Sequence, residues 1–170
     1  MIREKLKKIK VLAMDVDGVM TNGQIIYDSI NRETKVFNVK DGYGIILLQR
    51  AGFRTAIISA RAAQPVLYRA RDLKIGRVYQ GADPKITAYR CMLKDFRVRD
   101  EEVCFIGDDL PDIPLIRQVG LGVAVRDAAP DVRKAADYIT RCRGGEGAVR
   151  EIAELILKAK GVWTKILKNC

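Results

Sequence analysis

Groups able to handle a phosphoryl group occur along this chain in one order, each at or soon after the end of a short apolar run. In chain order they are Asp15-Val16-Asp17-Gly18, Ser59, Lys85 and Gly107-Asp108-Asp109-Leu110-Pro111-Asp112. If the apolar runs are parallel strands, all of these groups meet at one edge of one sheet. Carboxylates, a hydroxyl and an ammonium gathered there suit a phosphoryl group held with Mg²⁺.

The paired carboxylate is the first of these motifs. Asp15 and Asp17 point to the same side of an extended chain, and Gly18 allows a sharp turn beside them. The first carboxylate can attack phosphorus, and the second can protonate the leaving oxygen and later deprotonate water. A solvated turn is the alternative, because Asp and Gly are ordinary loop formers. The position directly after the apolar run Val11–Met14 favours chemistry.

The later acidic cluster also has alternative interpretations. It can start a helix with acidic residues near the positive dipole end, or it can be the magnesium motif of a prenyl-diphosphate enzyme. The second alternative needs two such motifs on helices, whereas this cluster follows the predicted strand Val103–Ile106 and contains Pro111. Metal binding by Asp108 is favoured, because the close carboxylates Asp15 and Asp17 need a cation to relieve their repulsion.

Ser59 and Lys85 are weak signals when each is taken alone, since most such residues are surface or capping groups. Ser59 nevertheless ends an apolar run, and Arg61 follows it closely. Lys85 comes after a turn that leads into a helix. Both positions allow a hydroxyl and an ammonium to hold a phosphate.

Strand and helix patterns alternate along the chain. Predicted strands cover Lys10–Met14, Thr55–Ser59, Arg77–Gln80, Val103–Ile106, Gly122–Val125 and Tyr138–Thr140. Predicted helices cover Tyr43–Arg50, Gln64–Leu73, Ile86–Asp95, Pro114–Val119 and Pro130–Ala135. This order predicts an α/β fold built as a Rossmann-like, doubly wound parallel sheet in a single domain over residues 1–170.

Two segments depart from that alternation. The β-prone stretches Gln24–Asp28 and Thr34–Val39 predict a hairpin that projects from the sheet edge. The run Gly144–Gly147 predicts a flexible joint before a closing helix over Ala148–Lys160 and a tail that ends at residue 170.

Composition narrows the function classes. A formal net charge of +10 and a pI near 9.6 raise the possibility of nucleic-acid binding. The excess of Lys and Arg lies mainly at the two ends, and no aromatic residues alternate with it as a base-stacking platform requires. A solvated surface, with no nucleic-acid partner, is therefore expected.

The remaining composition predicts a cytoplasmic chain with no membrane partner. The chain has no His, and its four cysteines, Cys91, Cys104, Cys142 and Cys170, show no CxxC spacing. Reduced thiols are expected, and a zinc site would need cysteines or carboxylates alone. The apolar run after the basic start is too short for a signal peptide, and no run is long enough to span a membrane.

Together the motifs resemble those of the haloacid dehalogenase superfamily of magnesium-dependent phosphotransferases, over a match from Val11 to about Leu157. A longer set resembles the 3-deoxy-D-manno-octulosonate 8-phosphate (KDO 8-phosphate) phosphatases of lipopolysaccharide precursor synthesis. Besides the two aspartate motifs, that set comprises Asn38–Gly44, Ile57–Arg61, Gln80-Gly81, Val119–Val125 and Gly144–Glu151. Ala60 and Glu146 depart from it, at positions where the family often has glycine and a basic residue.

The resemblance implies a role for each candidate residue. Asp15 is the implied nucleophile that forms an aspartyl-phosphate, and Asp17 is the general acid and base. Mg²⁺ is bound by Asp15, the backbone carbonyl of Asp17 and Asp108, with Asp109 and Asp112 in support. Ser59 and Lys85 hold the phosphoryl oxygens. The implied substrate contacts are Asp17, Asn38, Val39, Lys40, Asp41, Gly42, Arg61, Arg69 and Lys85.

The chain has no room for the cap domain that many superfamily members carry. A small charged substrate still needs water excluded around it, so a neighbouring subunit is expected to supply the lid, with the hairpin as the contact and a homotetramer as the family's assembly. Three alternatives stay open: a phosphatase of a nonulosonate 9-phosphate, a phospho-receiver domain, and a basic nucleic-acid-binding protein without enzymatic activity.

Overall fold

A computed structural model describes residues 2–168 of the chain. Within them lie the strands β1 (Val11–Met14), β2 (Ile26–Tyr27), β3 (Glu33–Thr34), β4 (Arg54–Ile58), β5 (Arg77–Tyr79), β6 (Val103–Gly107), β7 (Leu121–Ala124) and β8 (Tyr138–Ile139). Six of these strands form one sheet in the order β5-β4-β1-β6-β7-β8, and every neighbouring pair is parallel. The other two, β2 and β3, form a separate antiparallel pair.

The order of the strands determines where a ligand can bind. From β1 the chain builds outward through β4 and β5, and it then crosses back to add β6, β7 and β8 on the other side. The winding direction therefore reverses between β1 and β6, and ligands bind at the carboxyl ends of strands at such a reversal. The predicted doubly wound α/β fold is confirmed.

Helices flank this sheet. They are α1 (Ile2–Lys8), α2 (Val39–Arg50), α3 (Gln64–Asp72), α4 (Lys85–Phe96), α5 (Ile113–Gln118), α6 (Pro130–Ala135), α7 (Ala148–Ala159) and α8 (Trp163–Lys168). Helix α7 packs against α1, α2 and α8, while α5 packs against α4 and α6. Every residue of β1 and β6 is buried, which explains why these strands are continuous apolar runs.

Helix α2 begins earlier than the sequence predicts. The segment from Asn38 to Gly42 lies before the predicted helix Tyr43–Arg50, but Asn38 caps a helix whose first turn contains the rest of this segment. The Asn38 side chain accepts hydrogen bonds from the backbone N–H groups of Lys40 and Asp41. Glycine at position 44 is used for packing, because a Cβ there would lie 3.1 Å from the Cα atom of Arg150 on α7.

The glycine-rich segment before α7, predicted to be a flexible joint, makes specific contacts with the rest of the fold. The backbone N–H of Gly144 donates to Asp127 at 3.0 Å, and that of Gly145 donates to the carbonyl of Val19 at 2.9 Å. A Cβ on Gly144 would lie 1.7 Å from the carbonyl oxygen of Gly18. These glycines let the segment pack closely against the turn after β1.

Smaller differences occur at the hairpin and the chain ends. The hairpin is paired only at β2 and β3, well inside the predicted range 24–39. Helices α1 and α8 were not predicted, because each is a short basic segment with few apolar positions. Cys170 lies outside the described residues, and Cys91, Cys104 and Cys142 are free thiols.

The structure contains no cap domain between β1 and β5 in the described part of the chain. The interval from β1 to β4 holds the hairpin and α2, and the interval from β4 to β5 holds α3 alone. Among residues 2–168, every helix is too short or too polar to cross a bilayer.

Candidate active site

The carboxyl edge of the sheet brings the predicted catalytic groups together. Asp15 follows β1, Ser59 follows β4, Asp108 follows β6, and Lys85 is the first residue of α4 after β5. These side chains line one cavity of about 260 Å³, together with Asp17, Gly23, Ala60, Arg61, Asp109, Pro111 and Asp112. The spacing of the motifs in the sequence thus becomes a single site at the point where the strand order reverses.

Lys85 lies at the centre of the buried part of this site. Its Nζ atom is 2.8 Å from Oδ2 of Asp15 and 2.6 Å from Oδ1 of Asp112, and all three residues are buried. Burial by itself would lower the pKa of Lys85, but the two carboxylates raise it above its ordinary value. A fixed ammonium beside Asp15 can hold the oxygens of a phosphoryl group.

Asp112 shapes the acidic loop. Its side chain is fully buried, and its Oδ2 atom accepts hydrogen bonds from the backbone N–H groups of Asp108 at 2.9 Å and Asp109 at 3.3 Å. Its other oxygen pairs with Lys85. The exposed Asp109 caps the next turn by accepting from the N–H of Leu110. Both residues support the loop that presents Asp108.

Two buried oxygens in this cavity have no hydrogen-bond partner among the described residues. They are Oδ1 of Asp15 and Oδ1 of Asp108. Ligand oxygens of Asp15, Asp108 and Asp112 all lie within 4.8 Å of one another. Gly18 has a φ of +80°, and a Cβ there would lie 2.1 Å from the Asp108 carboxylate. Unpaired carboxylate oxygens at this separation fit a hard cation such as Mg²⁺.

Crowding of the carboxylates changes their acidity. Burial, with the nearby Asp112 carboxylate, raises the pKa of Asp15 to about 6, although Lys85 opposes the shift. Burial also raises the pKa of Asp108 to about 8, and Asp112 and Asp15 add to this increase. A cation bound between these groups would offset the repulsion between carboxylates that helps to raise both pKa values.

A charged network at the mouth of the cavity was not predicted from the sequence. It is a closed ring of four side chains, Asp17, Lys35, Glu33 and Arg61, which we call the ionic ring. The Lys35 ammonium contacts the Asp17 carboxylate and lies 2.8 Å from Glu33. Arg61 lies 3.0 Å from Glu33 and 3.7 Å from Asp17. The only sequence signal was a pair of charges two residues apart in a β-prone stretch.

The other predicted substrate contacts lie outside this cavity. Asp41 is buried, and its carboxylate accepts hydrogen bonds from the backbone N–H groups of Gly147 at 3.2 Å and Arg150 at 2.7 Å. It therefore caps the start of α7, and burial raises its pKa. The Asn38 side chain donates to the carbonyl of Gly145 at 3.2 Å.

Arg69 and the rest of segment 38–42 are likewise placed away from Asp15. Arg69 donates to the carbonyl of Asn38 at 3.3 Å and lies over the ring of Phe37. Gly42 packs against Arg69, since a Cβ there would lie 2.3 Å from the guanidinium. Val39 is 81 % exposed, and Lys40 lines a separate cavity near α7. Within one chain, the structure does not bring these residues to the phosphoryl site.

Comparisons with known proteins agree with this geometry. The sequence model of the family of haloacid dehalogenase-like hydrolases matches residues 72–152 of this chain. A protein of Yersinia pestis named 3-deoxy-D-manno-octulosonate 8-phosphate phosphatase KdsC is 45 % identical over 157 residues, which are 92 % of this chain and 84 % of that protein. The protein of the same name from Escherichia coli K12 is 43 % identical over 157 residues, with the same coverage of both chains.

Solved structures give the same result. The phosphatase of that name from Moraxella catarrhalis, in complex with magnesium, phosphate and KDO, has a TM-score of 0.97 and 43 % identity, covering 99 % of this chain and 97 % of its own. A cobalt-bound phosphatase from Haemophilus influenzae has a TM-score of 0.89 and 39 % identity, covering 92 % of both chains.

Proposed function

The chain belongs to the 3-deoxy-D-manno-octulosonate 8-phosphate phosphatases of the haloacid dehalogenase-like hydrolases, and we propose on that premise that it hydrolyses this sugar-acid phosphate with Mg²⁺. The products are the free sugar acid, a precursor for lipopolysaccharide, and phosphate. The observation that carries the proposal is the pair of unpartnered buried oxygens on Asp15 and Asp108 beside the buried Lys85.

The side chains divide the reaction into two steps. An oxygen of Asp15 attacks phosphorus, the ester bond breaks, and Asp17 gives its proton to the leaving oxygen. Asp17 then takes a proton from water, which attacks the aspartyl-phosphate and releases phosphate from Asp15. Lys85 and Ser59 hold the phosphoryl oxygens throughout. Mg²⁺ bound by Asp15, Asp108 and the backbone carbonyl of Asp17 neutralises the charge gathered there.

Arg61 is the candidate partner for the carboxylate at the sugar-acid end of the substrate. It lies at the mouth of the cavity, its side chain is 39 % exposed, and its guanidinium faces the carboxylates of Asp17 and Glu33. A planar guanidinium can donate two N–H groups to the carboxylate of a sugar acid. We propose that Arg61 makes this contact, and that Arg69 and segment 38–42 act on substrate only where subunits meet.

Phosphate release from a panel of phosphorylated sugar acids tests this function. The panel contains 3-deoxy-D-manno-octulosonate 8-phosphate, a nonulosonate 9-phosphate and p-nitrophenyl phosphate, each assayed with Mg²⁺ and with a chelator. We expect the highest kcat/KM for the octulosonate and no turnover with the chelator. A higher kcat/KM for the nonulosonate, or turnover that survives the chelator, would contradict the proposal.

We further propose that the active unit is a homotetramer of single-domain chains. The hairpin leaves apolar side chains exposed on a protein that has no cap, namely Ile25, Ile26, Tyr27, Ile30 and Val36. Exposed apolar edge strands are covered by a partner or they aggregate. Light scattering at assay concentration is expected to give a tetramer, and a fully active monomer would refute the shared site.

We also propose that the C-terminal segment helps to close the active site of a neighbouring chain, and the residues after α7 are those whose removal leaves the core intact. Helix α7 buries Val149, Ile152 and Ile156 in the core, so truncation at Arg143 would unfold the chain as well as remove the tail. Removal of residues 161–170 is the sharper variant, and we expect it to raise KM for the sugar-acid phosphate while the fold persists.

The free thiols of Cys91, Cys104 and Cys142 support the proposed cytoplasmic location.

A further inference from the structure

The ionic ring ties the hairpin to the two groups that handle the substrate. Lys35 and Glu33 come from the hairpin, whereas Asp17 and Arg61 follow strands β1 and β4 of the main sheet. We infer that Lys35 and Glu33 are positioning residues, which hold Asp17 toward the leaving oxygen and Arg61 toward the substrate carboxylate. This inference rests on the proposed function, because it assigns Asp17 the acid role.

Burial distinguishes Lys35 from an ordinary surface lysine. Its side chain has an exposed fraction of 0 %, and its ammonium lies between the carboxylates of Asp17 and Glu33. A buried ammonium with two carboxylate partners has one low-energy position, because any rotation leaves a charge without its partner. The carboxylate of Asp17 is therefore fixed in direction by Lys35 on one side and approached by Arg61 on the other.

A second ion pair on the same hairpin gives a useful contrast. Asp28 and Arg32 pair at 2.6 Å, with side-chain exposures of 34 % and 75 %. Asp28 also accepts hydrogen bonds from the N–H groups of Ile30 and Arg32, so it shapes the turn of the hairpin. This pair lies apart from the cavity and contacts no predicted catalytic group. It stabilises the turn alone, and exposed pairs of this kind contribute little to stability.

The ionic ring is one of the contacts that place the hairpin, beside the packing of β3 against α3. Strands β2 and β3 pair over two residues each, and a two-stranded hairpin of that size is marginal in water. Glu33 and Lys35 provide its charged contacts with the groups after β1 and β4, and Tyr27 adds a weak one to Arg61 at 3.5 Å. Docking of the hairpin therefore also orients the general acid Asp17.

Leaving-group chemistry separates a positioning role from a structural one. A sugar alkoxide is a poor leaving group and requires the proton of Asp17, whereas p-nitrophenolate leaves without one. Hydrolysis of the aspartyl-phosphate needs Asp17 with either substrate, so the comparison uses kcat/KM, which reports the steps up to loss of the leaving group. Loss of Lys35 should lower kcat/KM for the sugar phosphate much more than for p-nitrophenyl phosphate. Loss of Glu33 should leave Arg61 less well positioned for the substrate carboxylate, and so raise KM for the sugar-acid phosphate more than it lowers kcat.

The test uses the full-length Lys35→Met, Lys35→Arg and Glu33→Gln variants with Mg²⁺, and Asp28→Asn as the matched hairpin control. For Lys35→Met we expect kcat/KM to fall about 100-fold on 3-deoxy-D-manno-octulosonate 8-phosphate and less than about 5-fold on p-nitrophenyl phosphate. Lys35→Arg should restore part of the loss. Asp28→Asn should change both substrates equally and slightly.

Three results would overturn the inference. They are equal losses of kcat/KM on both substrates in Lys35→Met, the same substrate-selective loss in Asp28→Asn, and an unchanged KM for the sugar-acid phosphate in Glu33→Gln. If Lys35→Met does not fold, Lys35→Arg and Glu33→Gln supply the same comparison. Failure of the proposed function is distinct, because the unaltered protein would then release no phosphate from the sugar-acid phosphate.

Discussion

Charged side chains gather at both edges of the central sheet, but the two groups differ in whether the fold supplies their partners. At the carboxyl edge, carboxylates converge on Lys85, and buried oxygens of Asp15 and Asp108 have no partner among the described residues. At the amino edge, a cavity of about 390 Å³ is lined by the cations Lys10, Arg54, Arg97 and Lys160. Only the first edge needs a ligand to complete it.

Three of the four cations at the amino edge have partners within the fold. Lys10 pairs with Glu102 at 2.5 Å, Arg54 donates to the carbonyl of Phe96, and Lys160 lies over the ring of Phe53. Helices α2, α4 and α7 all end at this edge, where the negative ends of their dipoles favour positive charge. Convergence of charge therefore marks a site only where the fold leaves buried polar atoms unpaired.

The largest effect is expected from removing the nucleophile. Asp15→Asn keeps the shape of the side chain but removes its attacking carboxylate, so we expect turnover to fall by at least about three orders of magnitude. Turnover of the sugar phosphate by Asp17→Asn should fall by about two to four orders of magnitude, because asparagine cannot transfer a proton. Steady-state phosphate release measures both, and near-normal turnover in Asp15→Asn would remove the covalent mechanism.

An arginine at each edge gives a matched pair of intermediate effect. Arg61→Ala removes the proposed partner of the substrate carboxylate, which should cost about 2–5 kcal/mol in kcat/KM if bound substrate excludes water from that contact. The loss should be much smaller on p-nitrophenyl phosphate. Arg97→Ala removes the same charge from the amino edge and should leave kcat/KM unchanged. Equal losses in the two variants would end the distinction between the edges.

The smallest effect concerns protons that compete with Mg²⁺. In the metal-free protein the pKa values of Asp15 and Asp108 are raised to about 6 and about 8, so the folded state binds these protons more tightly than the unfolded state. This binding stabilises the fold at low pH, and the contribution is lost as pH rises through those values. Mg²⁺ must displace the protons, so its affinity should rise at least about tenfold from pH 6 to pH 8.

Thermal unfolding with and without Mg²⁺ measures this competition. The increase in Tm caused by Mg²⁺ should be larger at pH 8 than at pH 6, and Asp108→Asn should abolish it. Arg97→Ala is the control, because it lies at the other edge and should show the full increase. An increase in Tm that is independent of pH, or that survives in Asp108→Asn, would place the metal elsewhere.

The parts of this molecule that the sequence revealed are those governed by local pattern. The apolar runs of the main sheet became strands, and the residues after β1, β4 and β6 reached the site because parallel strands end at one edge. Position alone therefore predicted the arrangement of Asp15, Ser59 and Asp108. The start of α2 was missed because Gly42 and Gly44 favour a loop locally, whereas close packing selects glycine at both positions, against Arg69 for Gly42 and against α7 for Gly44.

The parts that the sequence did not reveal depend on contacts between distant segments. Lys35 and Glu33 reach the site only because the hairpin folds back over the cavity, and no spacing rule encodes that docking. The contact of Asp41 with α7 was missed for the same reason. Its role as a cap for α7 depends on an N–H more than one hundred positions away along the chain.

The covalent step at Asp15 is the central claim, and chemical quenching tests it most directly. The Asp17→Asn variant, given p-nitrophenyl phosphate and Mg²⁺, can form the aspartyl-phosphate but cannot activate water to hydrolyse it. Acid quenching followed by peptide mass spectrometry should find one phosphoryl group, carried by Asp15 and absent when Asp15→Asn is added. Product release with no phosphorylated peptide, or a phosphoryl group on another residue, would contradict the account.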